Sequence, residues 1–304
     1  MHGVEGLIVR VETDASPGTP SLSIIGLPDR SLSESRDRVR SALINSGFML
    51  PAGRLLVSLS PADIKKEGPA FDLPIALALL ASDGQLATKP LAEFVMLGEL
   101  ALDGSLRAVA GTLPMLIAAK RAGIPRAIIP FANRAEAALI PGMETYAVAA
   151  LADAVAVVLG NGAKFRIGAS TLKPPGDAPS DGDDFAEVRG QIVAKRALEI
   201  AAAGGHNVIL VGPPGCGKTM LARRMPSILP PMTPDEALDV TAVYSIAGLL
   251  GSEPHIVHRR PFRAPHHTSS RIALVGGGST PRPGEVTLAS RGVLYLNERR
   301  IRSC

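Results

Sequence analysis

Through the first 160 residues, short runs of alternating apolar and polar positions trade places with stretches of helical spacing, the pattern of a mixed α/β chain. Leu7-Ile-Val-Arg-Val-Glu12 alternates, Ser16-Pro-Gly-Thr-Pro20 is a turn, and Ser21-Leu-Ser-Ile-Ile25 returns as a second strand, so a hairpin is predicted. A helix is expected from Ser31 to Ser46. Ser31 stands where a cap belongs, Glu34 three residues on completes a capping box, and Gly47 stops the helix. Arg54-Leu-Leu-Val-Ser-Leu59 reads as a strand and Asp72 to Leu80 as an apolar helix. Phe94 to Leu102 and Ser105 to Val109, joined by Asp103-Gly104, predict a second hairpin on a tight turn. Leu113 to Ala122 is helical and ends at Gly123, Ala127 to Pro130 is a strand, and Asp153 to Leu159 is a helix.

The pattern then breaks. Lys173-Pro-Pro-Gly-Asp-Ala-Pro-Ser-Asp-Gly-Asp-Asp184 has almost nothing to bury and cannot offset its ordering entropy. The expected division is therefore a first domain over 1–162, a flexible linker over 163–185, and a second domain over 186–304. In the second, Ala186 to Ala203 is helical and stops at Gly204-Gly205. Thr233-Pro-Asp-Glu236 starts another helix that runs to about Ala247, with a Thr cap, Pro at the first position and an acidic first turn. Residues 251–284, dense in Gly, Pro, His and Arg, read as a long loop or hairpin insert. Asn207-Val-Ile-Leu-Val211 and Gly292-Val-Leu-Tyr-Leu296 read as buried strands. No tandem repeat is visible.

Between the first of those strands and a breaker-free segment from Met220 to Arg224 lies Gly212-Pro-Pro-Gly-Cys-Gly-Lys-Thr219. It satisfies G-x-x-x-x-G-K-[ST], the phosphate-binding loop, in its strand–turn–helix context. Backbone N–H groups there face an anion. Candidate nucleotide contacts are Gly212, Pro213, Pro214, Gly215, Cys216, Gly217, Lys218, Thr219 and Met220. Lys218 is placed for the β/γ-phosphates and Thr219 for Mg²⁺. Such a loop needs a second strand ending in acid, and Val293-Leu-Tyr-Leu-Asn297-Glu298 has that layout. The last strand residue is normally Asp, holding the water shell of the metal. Here Asn297 stands in its place and carries no charge, while Glu298 is the candidate base for the attacking water.

Composition narrows the remaining options. The chain has 304 residues, 46% hydrophobic and 20% charged, which suits two globular domains. Aromatics are 3% and Trp is absent, against a rich base-stacking surface; the net charge of +4 mildly favours nucleic acid. Cys216 and Cys304, the two cysteines, make no disulfide framework, which fits a reducing cytoplasm. No apolar run reaches the roughly 18 residues of a membrane span, and the N-terminus lacks the regions of a signal peptide. Cys216 reads as a bystander thiol. His255, His258, His266 and His267 are dense enough to suggest a metal. But Arg259, Arg260, Arg263 and Arg271 interleave with them, favouring a basic loop that faces phosphate or an acidic partner.

These blocks together resemble the magnesium-chelatase-like AAA+ ATPases of the ComM/YifB competence group. The resemblance rests on Ser16-Pro-Gly, Ile25-Gly-Leu-Pro-Asp29, Glu34-Ser-Arg-Asp-Arg-Val-Arg40, Lys66-Glu-Gly-Pro-Ala-Phe-Asp-Leu-Pro74 and Gly98-Glu-Leu-Ala-Leu-Asp-Gly104. It continues with Pro261-Phe-Arg-Ala-Pro-His-His-Thr268, Gly276-Gly-Gly278 and Pro283-Gly-Glu-Val286. It implies an α+β N-terminal domain similar to the Lon protease domain, followed by a partial P-loop AAA+ domain of three-layer α/β type. It implies ATP and Mg²⁺ as cofactors, a cytoplasmic location, and hexameric rings in the full-length family. Some members act as motors of DNA branch migration, so branched or single-stranded DNA is an implied partner. A chelatase-type ATPase that remodels a protein partner is the alternative.

Three departures qualify the resemblance. Asn297 replaces Asp. Where Lon enzymes carry a nucleophilic Ser, Gly68-Pro69-Ala70 has Ala70, and the later helix has no Lys before Lys120, so peptide hydrolysis is not expected. The first domain then reads as a binding or assembly module, with Arg30, Arg36, Arg38 and Arg40 as a possible DNA face that Asp29, Glu34 and Asp37 interrupt. Finally, the family pattern continues past Glu298 into further strands, an arginine finger and a helical lid, whereas this chain reads Arg299-Arg-Ile-Arg-Ser-Cys304. A shifted reading frame or a natural truncation is the expectation, with 186–304 incomplete and ATP turnover negligible.

Overall fold

The computed structural model describes residues 6–66, 68–168, 184–250, 256–266, 268–277 and 282–297. The chain divides into two compact units, the first mainly residues 1–171 and the second 172–247 with 256–304.

In the first unit the order is β1 (Arg10–Ser16), β2 (Ser21–Ile25), α1 (Arg30–Asn45), β3 (Arg54–Ser60), α2 (Asp72–Ser82), α3 (Thr88–Leu91) and β4 (Phe94–Met96). It continues with β5 (Glu99–Leu100), β6 (Leu106–Arg107), α4 (Thr112–Arg121), β7 (Arg126–Pro130), α5 (Arg134–Ala137), β8 (Glu144–Val148) and α6 (Leu151–Val158). Two three-stranded sheets result, β1-β3-β2 and β4-β7-β8. In the second sheet both pairings are parallel.

The predicted hairpin between the first two strands does not form. β1 starts at Arg10, three residues later than expected, and pairs antiparallel with β3, while β2 pairs with β3 in parallel. β3 takes the centre because it is the strand with a fully apolar face: Leu55, Val57 and Leu59 alternate inward and are buried. The second predicted hairpin shrinks to β5 and β6 around Gly104, which holds φ 84°. Phe94–Met96 instead joins the other sheet beside β7, whose residues 127–130 are all buried. β8, absent from the sequence reading, flanks β7 on the other side. α1 is capped by Asp29, whose carboxylate accepts from Leu32 N at 2.7 Å; the helix already begins at Arg30, so the expected cap position, Ser31, is its second residue.

α2 is apolar around most of its circumference, as a helix enclosed by its own unit must be. Leu73, Ile75, Ala76, Leu77, Leu79 and Leu80 are all fully buried. They form one core with Leu32, Val39 and Leu43 of α1, the inward face of β3, and Ile128, Val148 and Leu151. The one buried charge of this helix, Asp72, meets Arg38 through Nε at 2.8 Å and Nη2 at 3.1 Å. Arg38 is therefore committed to the interior, which removes it from any DNA-facing row on α1.

In the second unit the elements are α7 (Ile192–Gly204), α8 (Lys218–Arg224), α9 (Pro234–Ile246), β9 (Phe262–Arg263), α10 (Arg271–Val275), β10 (Gly276–Gly277), β11 (Arg282–Pro283), α11 (Glu285–Leu288) and β12 (Val293–Leu294). α7 starts six residues later than expected, after a 3₁₀ turn at Phe185–Glu187. The predicted linker lies mostly outside the described residues. Thr233 and Glu236 form the expected capping box on α9. Phe185, Val188, Leu198, Ala201, Leu221 and Met225 make the core that seats α7 against α8.

One expected strand is missing. Asn207–Val211 is not part of any sheet, and Ile209 and Val211 are 85% and 83% exposed. The expected second strand shortens to Val293–Leu294, half-buried, and pairs in parallel with β9. Parallel strands are stable when flanked and covered; Asn207–Val211 pairs with no described strand, and only Leu210 packs on the core while Val208, Ile209 and Val211 face water.

Candidate functional site

The loop between Val211 and α8 is built by its glycines. Gly215 and Gly217 take φ 82° and 86°, a left-handed conformation that a side chain resists. Gly217 is the residue at which the chain turns into α8. A Cβ on Gly212 would stand 2.9 Å from the Cys216 sulfur, so a larger residue there would push the Cys216 side chain aside. Gln191, just before α7, steadies the loop by donating from Nε2 to the Cys216 carbonyl at 3.2 Å.

Lys218 folds back over this loop. Its ammonium donates to the carbonyls of Gly212 at 2.8 Å and Pro213 at 2.9 Å, and lies 3.6 Å from Cys216 Sγ. The loop thus encloses one fixed positive charge, with no carboxylate among its own residues. Thr219 shares a 3.1 Å hydrogen bond between its hydroxyl and that of Tyr295. This contact joins α8 to the segment that follows β12. Tyr295 is held in turn by its backbone N–H on Arg263 O at 2.8 Å and by its ring stacked 6.2 Å from Phe262.

The sequence-predicted residues are therefore partly assembled. Gly212, Gly215, Gly217 and Lys218 form the loop. Pro213, Pro214 and Met220 are exposed around it, and Cys216 is half-buried. Thr219 meets the β12 side through Tyr295, two residues before Asn297, which is exposed. Glu298 lies outside the described residues, as do His255, His267, Gly278 and the tail from Arg299. Nothing in the residue pattern marked Tyr295 or Gln191, because both act through tertiary contacts distant in sequence. A second arrangement went unread for the same reason. Arg263 grips Glu285 with two hydrogen bonds, 2.6 and 2.7 Å, tying β9 to α11. The Arg263 guanidinium holds the Glu285 carboxyl below the ordinary glutamate range, against a smaller opposing effect of burial. Among the described residues no group of His, Cys, Asp and Glu side chains is arranged to hold a metal ion.

Two family profiles match the chain. "Magnesium chelatase, subunit ChlI" covers residues 184–301, the loop and β12 included. "Subunit ChlI of Mg-chelatase" covers 11–133. Competence protein ComM of Haemophilus influenzae is 44% identical over 300 residues, 97% of this chain and 58% of that protein.

The chain belongs to the ComM/YifB-like magnesium-chelatase family.

YifB of Escherichia coli K12 is 44% identical over 298 residues, 97% of the chain and 57% of that protein. The chain thus spans a little under three fifths of the length of these relatives. A Lon protease of Salinispora arenicola is 29% identical over 169 residues, 52% of this chain and 22% of that protein. Its likeness is weak and agrees with the mixed α/β character of the described fold. Ala70, at the position where the Lon resemblance places a nucleophile, is buried and has no hydroxyl to offer. Among the described residues no helix is long and apolar enough to cross a membrane.

Proposed function

We propose that residues 186–304 belong to an ATP-binding AAA+-type domain and residues 1–162 to a Lon-like module without a catalytic dyad, and that together they serve an ATP-driven motor acting on DNA. The relative named a competence protein supports a role in natural transformation. The observation that carries the nucleotide reading is the loop itself. Two left-handed glycines shape it, an ammonium lies across it, and a hydroxyl follows at once. That donor set, all N–H and O–H without a carboxylate, suits a polyphosphate.

In this reading Gly212 to Met220 hold ATP, Lys218 pairs with its phosphates, and Thr219 and Asn297 face the accompanying Mg²⁺. Neither Thr219 nor Asn297 is charged, so the ion's charge is matched mainly by phosphate oxygens and water. The metal supplies neutralisation of phosphate charge. Glu298 is assigned to positioning and deprotonating water. Full-length relatives are read as hexamers, and this chain as able to contribute to such a ring.

The test is a calorimetric titration of ATP and ADP into the chain and into Lys218→Ala. Most of the binding is expected to vanish in the variant. Equal affinity of the two proteins overturns the nucleotide assignment. Salt-sensitive binding to branched or single-stranded DNA separates the motor from a chelatase-type ATPase that remodels a protein.

A further inference from the structure

A cavity of about 510 Å³ opens in the second unit, lined by Arg223, Pro226, Arg259, Arg260, Phe262, Arg263, Ala264 and Glu285. Its size falls within the roughly 300–1,000 Å³ typical of ligand pockets. No residue of the loop 212–219 lines it. Arg223 is near the far end of α8, so the cavity and the loop are separate features of one helix.

The four arginines are not equivalent. Arg263 is engaged by both oxygens of Glu285. Arg260 is fixed by the carbonyls of Pro230 at 2.5 Å and Arg291 at 2.6 Å, and reaches Glu236 at 3.5 Å. Arg223 and Arg259 are exposed and have no hydrogen bond or ion pair among the described residues. The wall therefore carries four guanidinium groups against one carboxylate, and that carboxylate is already taken. Two exposed planar forks on the wall have their donors unmet among the described residues, the chemistry that suits a phosphate. The same wall has an aromatic ring, Phe262, and the apolar Pro226 and Ala264.

We propose that this cavity binds the phosphodiester backbone of single-stranded nucleic acid, with Arg223 and Arg259 on phosphates and Phe262 beside a base. An acidic protein segment would pair with the same two arginines but make no use of the Phe262 ring, which lines the cavity while packing against Tyr295, whereas a nucleotide uses both. The inference deepens the function proposed above by locating the nucleic-acid partner, and takes only the class of that partner from it.

The experiment measures fluorescence anisotropy of a labelled oligo-deoxythymidine against protein concentration, over a range of salt. The proteins are the wild type, Arg223→Ala/Arg259→Ala, Arg259→Glu and Arg196→Ala. Both arginines are exposed, so the variants keep the fold, and circular dichroism checks it. The double variant should lose on the order of tenfold in affinity, and its salt slope should fall by about 1.4, two phosphates at about 0.7 each. Arg259→Glu should lose at least as much as an alanine at that position, and Arg196→Ala, an exposed arginine on α7 outside the cavity, should bind like wild type. A double variant with wild-type affinity and slope overturns the proposal while leaving a DNA partner elsewhere on the chain. An equal loss in Arg196→Ala overturns it by showing that the removal of any surface charge weakens binding alike. Binding of polyglutamate in place of the oligonucleotide, abolished in the double variant, overturns it in favour of an acidic protein partner. Failure of the wild type to bind either probe also overturns it. The calorimetric result for ATP stands apart from all of these.

Discussion

Arg38→Ala should be the most damaging single polar substitution in the first unit. Asp72 is completely buried, and its carboxylate is met by Arg38 Nε at 2.8 Å, Arg38 Nη2 at 3.1 Å and the backbone N–H of Leu100 at 3.2 Å. Arg38 is also anchored by Ser35 Oγ at 2.9 Å, so the fork is pre-set. Removing the guanidinium leaves a buried charge with one described N–H donor. Breaking a buried pair from one side costs about 3–5 kcal/mol, a large part of the roughly 5–15 kcal/mol that holds a domain together. Hydrogen-exchange mass spectrometry on peptides from β3 reads the first unit separately from the second, and protection there should fall by that amount. Arg38→Ala/Asp72→Asn should recover part of the loss, since the amide carries no charge to strand and its oxygen still accepts from Leu100. Arg38→Lys should recover less than a full rescue, because an ammonium cannot make both contacts. A loss below about 1 kcal/mol for Arg38→Ala refutes the reasoning, taking exposed pairs as the reference. So does a double variant as unstable as the sum of the two single ones.

Three further outcomes are expected. Glu285 is held below the usual glutamate range by Arg263, so its contribution is complete above the ordinary value of about 4.3 and is lost as pH falls through the depressed one. Glu285→Gln should flatten that acid limb in thermal melts, and an unchanged limb contradicts the assignment. Ile209→Lys with Val211→Thr should reduce dye binding to exposed apolar surface and light scattering, because both side chains face water; unaltered scattering would show that the run is covered in solution. Tyr295→Phe removes the hydroxyl that shares a hydrogen bond with Thr219, and Mg²⁺-dependent ATP binding should tighten roughly two- to tenfold, the worth of one hydrogen bond. Weaker binding would mean that Tyr295 supports the site rather than competing for Thr219.

What the residue pattern determined by itself was local. The shape of the loop 212–219 was readable because its left-handed turns at Gly215 and Gly217 are a backbone requirement, which a short segment meets without help from the rest of the chain. The helices α2, α4 and α9 were readable for the same reason: their spacing, the Thr233 cap of α9 and the stops at Gly123 and near Ala247 lie within one stretch of sequence. Strand pairing was decided elsewhere. β1 and β2 looked like a hairpin because they are adjacent in sequence, yet each gains more by pairing with β3, whose inward Leu55, Val57 and Leu59 cover the helices. Asn207–Val211 had the composition of a buried strand, but a strand exists only when another backbone meets its N–H and C=O groups, and no described segment does. Asp72 against Arg38, Glu285 against Arg263 and Tyr295 against Thr219 pair residues 34, 22 and 76 positions apart. The type of each residue was visible in the sequence, but its partner was not, because a charge or hydroxyl finds its partner only after apolar burial has brought the two segments together.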